Sequence, residues 1–390
     1  MKSTLDRRTV LASSLGGLTT VLLGCRRSGV LLEGERVIIV GAGPAGMTAA
    51  YQLVQAGADV TVLEATSAPG GRIRHTRDFA DFPISLGGEW LHVAPGILED
   101  VVNDPSIPVT TRLEDYERKD SYGFFDGNAL TLSSGSRSRD LKFVGSSWLD
   151  FFETYVLPSI SSLIETERPV ARVDWSGASV VLEGVNGEQW EADRVIVTVP
   201  LALLQRGDLT FSPPLPTERT DAIAEATIWG GIKIFLAFSE EFYPTFLEFP
   251  DSGTDAGQRL YYDAAYGQIT KMNILGLFAV GDQAEPYQMR KGEERLQYVL
   301  DELDAIFDGA ASRTYLRHVD QNWNEEPFAR GAYLADGSRT RTSRVLSAPL
   351  GDRVFFAGDA YTRFADWSSV HAACWSAIDA VDELVGTRAR

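Results

Sequence analysis

The stretch Glu35–Ala65, ERVIIVGAGPAGMTAAYQLVQAGADVTVLEA, decides the fold. Val37 to Val40 form a near-continuous apolar run, the mark of a strand buried on both faces of a parallel sheet. Gly41, Gly43 and Gly46 follow as G-x-G-x-x-G. The first glycine permits a tight turn, the second lets the backbone approach a pyrophosphate, and the third lets helix and strand pack closely. A helix opening there aims unpaired N–H groups and its positive dipole end at phosphates. Asp59 to Leu63 predicts the next strand. It ends in Glu64, 23 residues after Gly41, where a carboxylate can accept hydrogen bonds from ribose hydroxyls. Glycines alone are a weak signal, but strand, glycines, helix, strand and acid in this order specify a dinucleotide site. A merely structural glycine turn would not need Glu64.

Upstream, the chain begins MKSTLDRRTVLASSLGGLTTVLLGC. Arg7 and Arg8 precede an apolar run from Val10 to Leu23 that is too short and too rich in Gly, Ser and Thr to span a membrane. It reads as the apolar region of a signal peptide, and the arginine pair predicts twin-arginine export, a route for proteins that fold and load a cofactor first. Leu22 to Cys25 resembles a bacterial lipoprotein cleavage box with Cys25 acylated. Residues 1–25 are therefore expected to be an export and lipoprotein signal. The mature protein is expected on the outer side of the cell envelope membrane, touching lipid only through Cys25. Cleavage before Cys25 removes three positive charges and one negative, taking the net charge from −18 to −20. So acidic a chain excludes nucleic acid as a natural partner. At 390 residues and 44% hydrophobic, it has material for one large core or two fused domains.

Downstream come APGGRIR (Ala68–Arg74), LGGEWLH (Leu86–His92), ADRVIVTVPLALL (Ala192–Leu204), GGIKIFLAF (Gly230–Phe238), NWNEEPFARGAY (Asn322–Tyr333) and RVFFAGDAYTRFADWSSVHAACWSAIDAV (Arg353–Val381). Together with the opening stretch they resemble the flavin-containing amine oxidases: monoamine, polyamine and L-amino-acid oxidases. The Trp-x-His ending of Leu86–His92 is most similar to the polyamine oxidase branch. The resemblance spans nearly all of the mature chain except residues 96–167. It implies non-covalent FAD, because Ala332 stands where monoamine oxidases carry the cysteine that bonds to the flavin. It implies FAD contacts at Gly41, Gly43, Ala45, Gly46, Glu64, Gly71, Arg72, Gly87, Gly88, Glu89, Trp90, Val170, Trp323, Gly358, Asp359, Trp367, Ser369 and Val370. It also implies that Trp323 stacks near the flavin, that Tyr333 is one wall of an amine cage, and that His92 lines the substrate tunnel. Val370 replaces the second cage tyrosine, so the aromatic sandwich is at most half built.

Each of these residues has a plainer reading. Lys233 sits among apolar neighbours on one strand face with Phe235 and Ala237. On its own segment it is a gatekeeper that protects an edge strand from aggregation. By resemblance it is the lysine that holds a water against flavin N5. Asp359 is either a ribityl and pyrophosphate neighbour or the cap of the following helix. That helix is predicted to begin near Trp367, burying Cys374 as an inert thiol on its apolar face. Trp323 reads equally as a core aromatic and His92 as a satisfied structural histidine. Glu89 and Arg330 are candidates for substrate contact.

The expected architecture is α/β. A Rossmann-like three-layer FAD-binding domain is drawn from 35–95, 168–207 and 345–386, and a discontinuous α+β substrate domain on a mixed sheet from 96–167 and 208–344. Asn186-Gly187 predicts a type I′ hairpin, and 133–140 and 250–258 read as polar loops. The short 96–167 segment suggests a pocket left open or covered by a second copy of the chain, a homodimer. The expected activity is oxidation of a small amine to an imine by hydride transfer to flavin N5, with reoxidation by O₂, a quinone or a cytochrome. Two other functions suit the same motifs: C–C desaturation, as in protoporphyrinogen oxidase or phytoene desaturase relatives, and a non-catalytic lipid-anchored flavoprotein. Lys233 and Trp-x-His speak against the first.

Overall fold

The computed structural model of the protein describes residues 32–388, apart from 118–119, 135–139, 251–252, 255, 336–338 and 364–367. The leader with Cys25, Trp367 and parts of both polar loops lie outside the described residues.

β1 (Arg36–Val40) passes through the glycine turn into α1 (Pro44–Gln55), which returns to β2 (Asp59–Leu63). Pro44 occupies the first turn of α1, where its missing N–H leaves no hydrogen bond unmade. Five parallel strands form one sheet in the order Val354–Phe356, Arg194–Val197, β1, β2, Ile164–Glu165. Alternation along β1 divides its side chains between two cores. Val37 and Ile39 pack with α1 and the C-terminal helix Val370–Arg388. Ile38 and Val40 pack with Val173, Val180, Leu182 and Ala192 of a four-stranded sheet. Helices, parallel sheet and second sheet make the three layers, and burial on both faces explains why these strands read as unbroken apolar runs.

The hairpin at Asn186-Gly187 forms within the second sheet but not with the expected turn. Val180–Gly184 pairs with Gln189–Ala192, leaving a four-residue loop. Only Gly187 takes a positive φ, 84°, whereas a type I′ turn needs one at both central residues. The Gly187 N–H donates to Gly184 O at 3.0 Å, and the Gly184 N–H to Glu188 O at 2.8 Å.

The other large sheet is mixed, running in the order Tyr315–Asn322, Gly231–Phe238, Asn273–Gly281, Gly257–Asp263, Phe246–Glu248, Ser121–Phe125, Leu130–Ser134. Gly253–Thr254 pairs beside the Gly257–Asp263 strand. The Gly231–Phe238 strand is flanked on both sides and all eight of its residues are buried. It is an interior strand, which removes the edge-gatekeeper reading of Lys233. Residues 96–167 divide between the two halves of the molecule. Helices Gly96–Val102 and Trp148–Tyr155 bury Leu98, Val101, Trp148 and Phe152 in the core beneath α1. Ile164–Glu165 is the edge of the parallel sheet, while Ser121–Phe125 and Leu130–Ser134 end the mixed sheet. Among the described residues no helix is long and apolar enough to cross a membrane.

Candidate active site

A single cavity of about 850 Å³ runs from the ends of β1 and β2 to the face of the mixed sheet, at the upper end of the range usual for small-molecule sites. At one end it is lined by Gly41, Gly43, Ala45, Glu64, Arg168 and Val170, and at the other by Trp90, Lys233, Leu260 and Phe278. Gly46 does not line it; its role is packing, since a Cβ there would lie 1.9 Å from the Gly41 carbonyl oxygen. A Cβ on Gly43 would meet nothing within 4 Å, so the backbone here is open to whatever fills the cavity. The Glu64 carboxylate is buried and fixed. It accepts from the Ala42 N–H at 2.7 Å, the Thr66 N–H at 2.9 Å and the Thr66 hydroxyl at 2.7 Å.

Midway, Gly71, Arg72, Gly87, Gly88, Gly358, Asp359, Ser369 and Val370 converge on the same space. Arg72 is ion-paired with Asp359 and donates to the Ala332 carbonyl. Asp359 therefore does not cap the C-terminal helix. Ser369 does, its hydroxyl accepting the Ala372 N–H at 3.3 Å, and the helix begins at Val370 rather than near Trp367. Side chains on the Gly87-Gly88 pair would collide with the Arg72 carbonyl at 1.9 Å and with Val370 Cγ2 at 2.6 Å. Trp323 lies against Gly87 and donates from Nε1 to Leu86 O at 3.0 Å. These features fit FAD: a phosphate-facing helix start at one end, a ribose-facing carboxylate, and a flat glycine shelf between Trp323 and Val370. Among the described residues no cysteine lines the cavity. Cys374, the free cysteine of the described residues, is buried, and burial pushes its thiol up to about 12.

At the mixed sheet the site is built from side chains. Lys233 is 4% exposed. It donates to Glu89 Oε2 at 2.6 Å and to Ser85 O at 3.3 Å, with its Nζ 4.9 Å from the Trp90 ring centroid. Tyr262 donates to the same carboxylate oxygen at 2.5 Å. A second lysine, Lys142, is 3% exposed. Its Nζ lies 3.9 Å from Glu89 Oε1 and donates to Asp263 O at 3.1 Å and Ala264 O at 2.6 Å. Burial pulls both ammonium groups below their ordinary values, against the attraction of Glu89. Burial pushes the Glu89 carboxyl up, but Lys233, Lys142 and Tyr262 outweigh it and hold Glu89 below the usual range. Glu89 is thus the counter-ion of two lysines.

Strand register carries the wall outward: Lys233 pairs with Phe278, which pairs with Leu260, and Phe246 and Tyr122 continue the lining. Tyr333 faces the cavity from a short ribbon, its ring edge-on to Trp229 at 5.9 Å, and burial raises its phenol. His92 lines the cavity at its open side and is paired to Asp140, with Nδ1 2.7 Å from Oδ1. Arg330 also lines it. The structure gathers every expected residue it describes around one space, with Gly46 beneath the turn. Sequence reading missed Lys142, Tyr262, Asp140 and the apolar wall. A signal existed for Lys142, which stands between apolar neighbours in Leu141–Val144 as Lys233 does in its strand.

The family profile described as "Flavin containing amine oxidoreductase" matches residues 44–162 and 159–385. The chain is 24% identical over 435 residues to the mouse (Mus musculus) lysine-specific histone demethylase 1B, covering 89% of this chain and 52% of that protein. It is 26% identical over 436 residues to polyamine oxidase 4 of Oryza sativa subsp. japonica, covering 89% and 88%. The chain thus spans about half the length of some curated relatives it matches, the demethylase among them. Its fold superposes on the cyclohexylamine oxidase of Brevibacterium oxydans IH-35A with a TM-score of 0.76 at 16% identity, covering 91% of this chain and all of the other.

Proposed function

The chain belongs to the flavin-containing amine oxidoreductase family, and on that premise we propose that it oxidises a small amine to an imine. The observation that carries this reading is the continuity of one cavity from the glycine turn and Glu64 to the buried Lys233 side chain. FAD would be held without a covalent bond by the turn at Gly41–Gly46, Glu64, Arg72, the Gly87-Gly88 shelf and the capped start of the C-terminal helix. When bound, it supplies the hydride acceptor.

The residues of the chain do the rest. Trp90, Phe278 and Leu260 exclude water from the substrate, which lowers the ammonium pKa of a bound amine and favours its neutral, reactive form. Tyr333 and Trp323 fix its approach, so that orientation is settled before reaction. With Val370 in place of a second cage tyrosine, Tyr333 would be the one tyrosine wall of the cage. Lys233, held by Glu89, presents a fixed donor at the cavity wall. His92, backed by Asp140, stands at the wider side as a polar contact for the part of the substrate away from the reacting carbon. The substrate class is a polyamine, a primary or secondary amine, or an amino acid, and the final acceptor is O₂ or an envelope quinone or cytochrome. The leader read at residues 1–25 supports export and lipid anchoring at Cys25.

The test is direct. Purified protein should release FAD on acid denaturation, and under anaerobic conditions at least one member of a panel of polyamines, aromatic amines and amino acids should bleach its flavin absorbance. A flavin that dithionite bleaches and no amine does would end the amine reading.

A further inference from the structure

Two buried lysines share one buried carboxylate. Glu89 is the carboxylate that faces both, while Asp263 faces Lys142 and not Lys233, so Lys233 is the less fully compensated of the two desolvated amines and the one that gives up its proton first. Lys233 depends on Glu89 and a single carbonyl, whereas Lys142 has two backbone carbonyls besides. Other groups facing Glu89 are Tyr262, by direct hydrogen bond, and Tyr116, whose phenol burial and Glu89 hold well above its ordinary value. Neither phenol can carry the negative charge. Asp263 faces Lys142.

The trio also bridges two spaces. Glu89 and Lys233 line the main cavity. Glu89 and Lys142 line a second, separate cavity of about 10 Å³, close to the size that one water needs. Ser85, Ser146 and Gln268 complete its polar lining, and the last two are half-buried at the protein surface. Among the described residues, Glu89 is the one charged group common to both spaces.

We propose that Lys233, Glu89 and Lys142 form a one-proton store that takes the proton shed by a substrate ammonium and passes it to the small cavity behind the sheet. The inference rests on the amine-oxidation reading. In the step, a substrate N–H bond breaks and an N–H bond forms on neutral Lys233. The electron pair stays on the substrate nitrogen, which becomes the neutral amine. Lys142 then releases its own proton to water in the small cavity and takes one from Lys233 across the Glu89 carboxylate, which ends ionised as it began; Lys233 is neutral again, and no oxidant or reductant is consumed.

The experiment follows the flavin absorption of the holoenzyme against pH without substrate, since a change of charge at Lys233 perturbs a chromophore in the adjoining cavity. Wild type should titrate with one proton. Lys142→Met removes the competing cation and should move the break up by about a pH unit, while Glu89→Gln removes the counter-ion and should move it down by at least as much. Lys142→Arg, which keeps the charge, should restore the wild-type position. Opposite shifts are a signature that loosened packing does not give; breaks that stay put or move together overturn the store. If Glu89→Gln does not fold, Lys142→Met and Lys142→Arg decide. Ser146→Leu fills the small cavity and should leave the break in place. Proton appearance in weakly buffered medium, followed with a pH indicator, should then lag behind bleaching by an active amine of the panel; synchronous appearance overturns the exit route. A panel without any bleaching amine would instead sink the parent reading, and the substrate-free titration would still report on the store.

Discussion

The two sheets of this molecule make their contributions to the cavity in different ways. The parallel sheet works with backbone at its strand ends: Gly41, Gly43 and Gly46 matter for the side chains they lack. The mixed sheet works with side chains on its face: Lys233, Phe278 and Leu260 sit across three strands, 18 or more residues apart in sequence, and meet by register alone. A site made of backbone concentrates in a dozen residues and is rigid to substitution. A site made from a sheet face is dispersed, and its members can be exchanged without dismantling the fold.

The largest expected effect falls on the backbone site. Gly46→Ala places a Cβ 1.9 Å from the Gly41 carbonyl oxygen, where backbone must move. A loss of upwards of about 4 kcal/mol is expected, with no flavin recovered in purified protein. Flavin retained at wild-type stoichiometry would break the contrast between the sheets. At the mixed sheet, Glu89→Ala removes the carboxylate that Lys233 and Lys142 share and should cost about 3–5 kcal/mol in denaturant unfolding. A loss below about 1 kcal/mol would mean that water already solvates the cluster.

The pH dependence sharpens the same region. Burial pushes the Asp263 carboxyl up to about 6, against the pull of Lys142. A folded-state value above the unfolded one means that the native protein binds the proton more tightly. Stability from this group is therefore present below about pH 4 and falls as the pH rises toward 6. The total is about 3 kcal/mol at most, from roughly 1.4 kcal/mol per pH unit. Asp263→Asn should flatten unfolding free energy across that window. The smallest effect belongs to the loop that differs from its expected turn. Gly187→Ala, at φ 84°, should cost about 1 kcal/mol with no change in flavin content.

The contrast also explains what could be read beforehand. The dinucleotide site was legible because its physics is local: glycine spacing, a strand before, a strand and Glu64 after. Burial on both faces of the parallel sheet was legible for the same reason. The Lys233 strand was legible as a strand but not as an interior one, because edge position depends on partners remote in sequence. Lys142 carried the same anomaly as Lys233, an ammonium between apolar residues, in a segment where no family motif drew attention to it. Its pairing with Glu89 brings residues 53 apart in sequence together beside the Leu91–Leu141 backbone bridge, which no spacing foretells. The Asn186-Gly187 turn misled because the dipeptide suits more than one loop, and strand register fixed the loop at four residues. At the C-terminal helix, an acid ten residues upstream drew the eye from Ser369, whose hydroxyl is in place to cap.

One cavity joins a backbone cradle for FAD to a separable lysine at the sheet face. Lys233→Met tests it most directly, with bound FAD and anaerobic bleaching by an active amine measured on the same preparation. FAD retained at wild-type stoichiometry with bleaching or reoxidation slowed at least about tenfold, a barrier rise of roughly 1.4 kcal/mol, is the predicted result. Loss of FAD, or unchanged rates in both half-reactions, would contradict it.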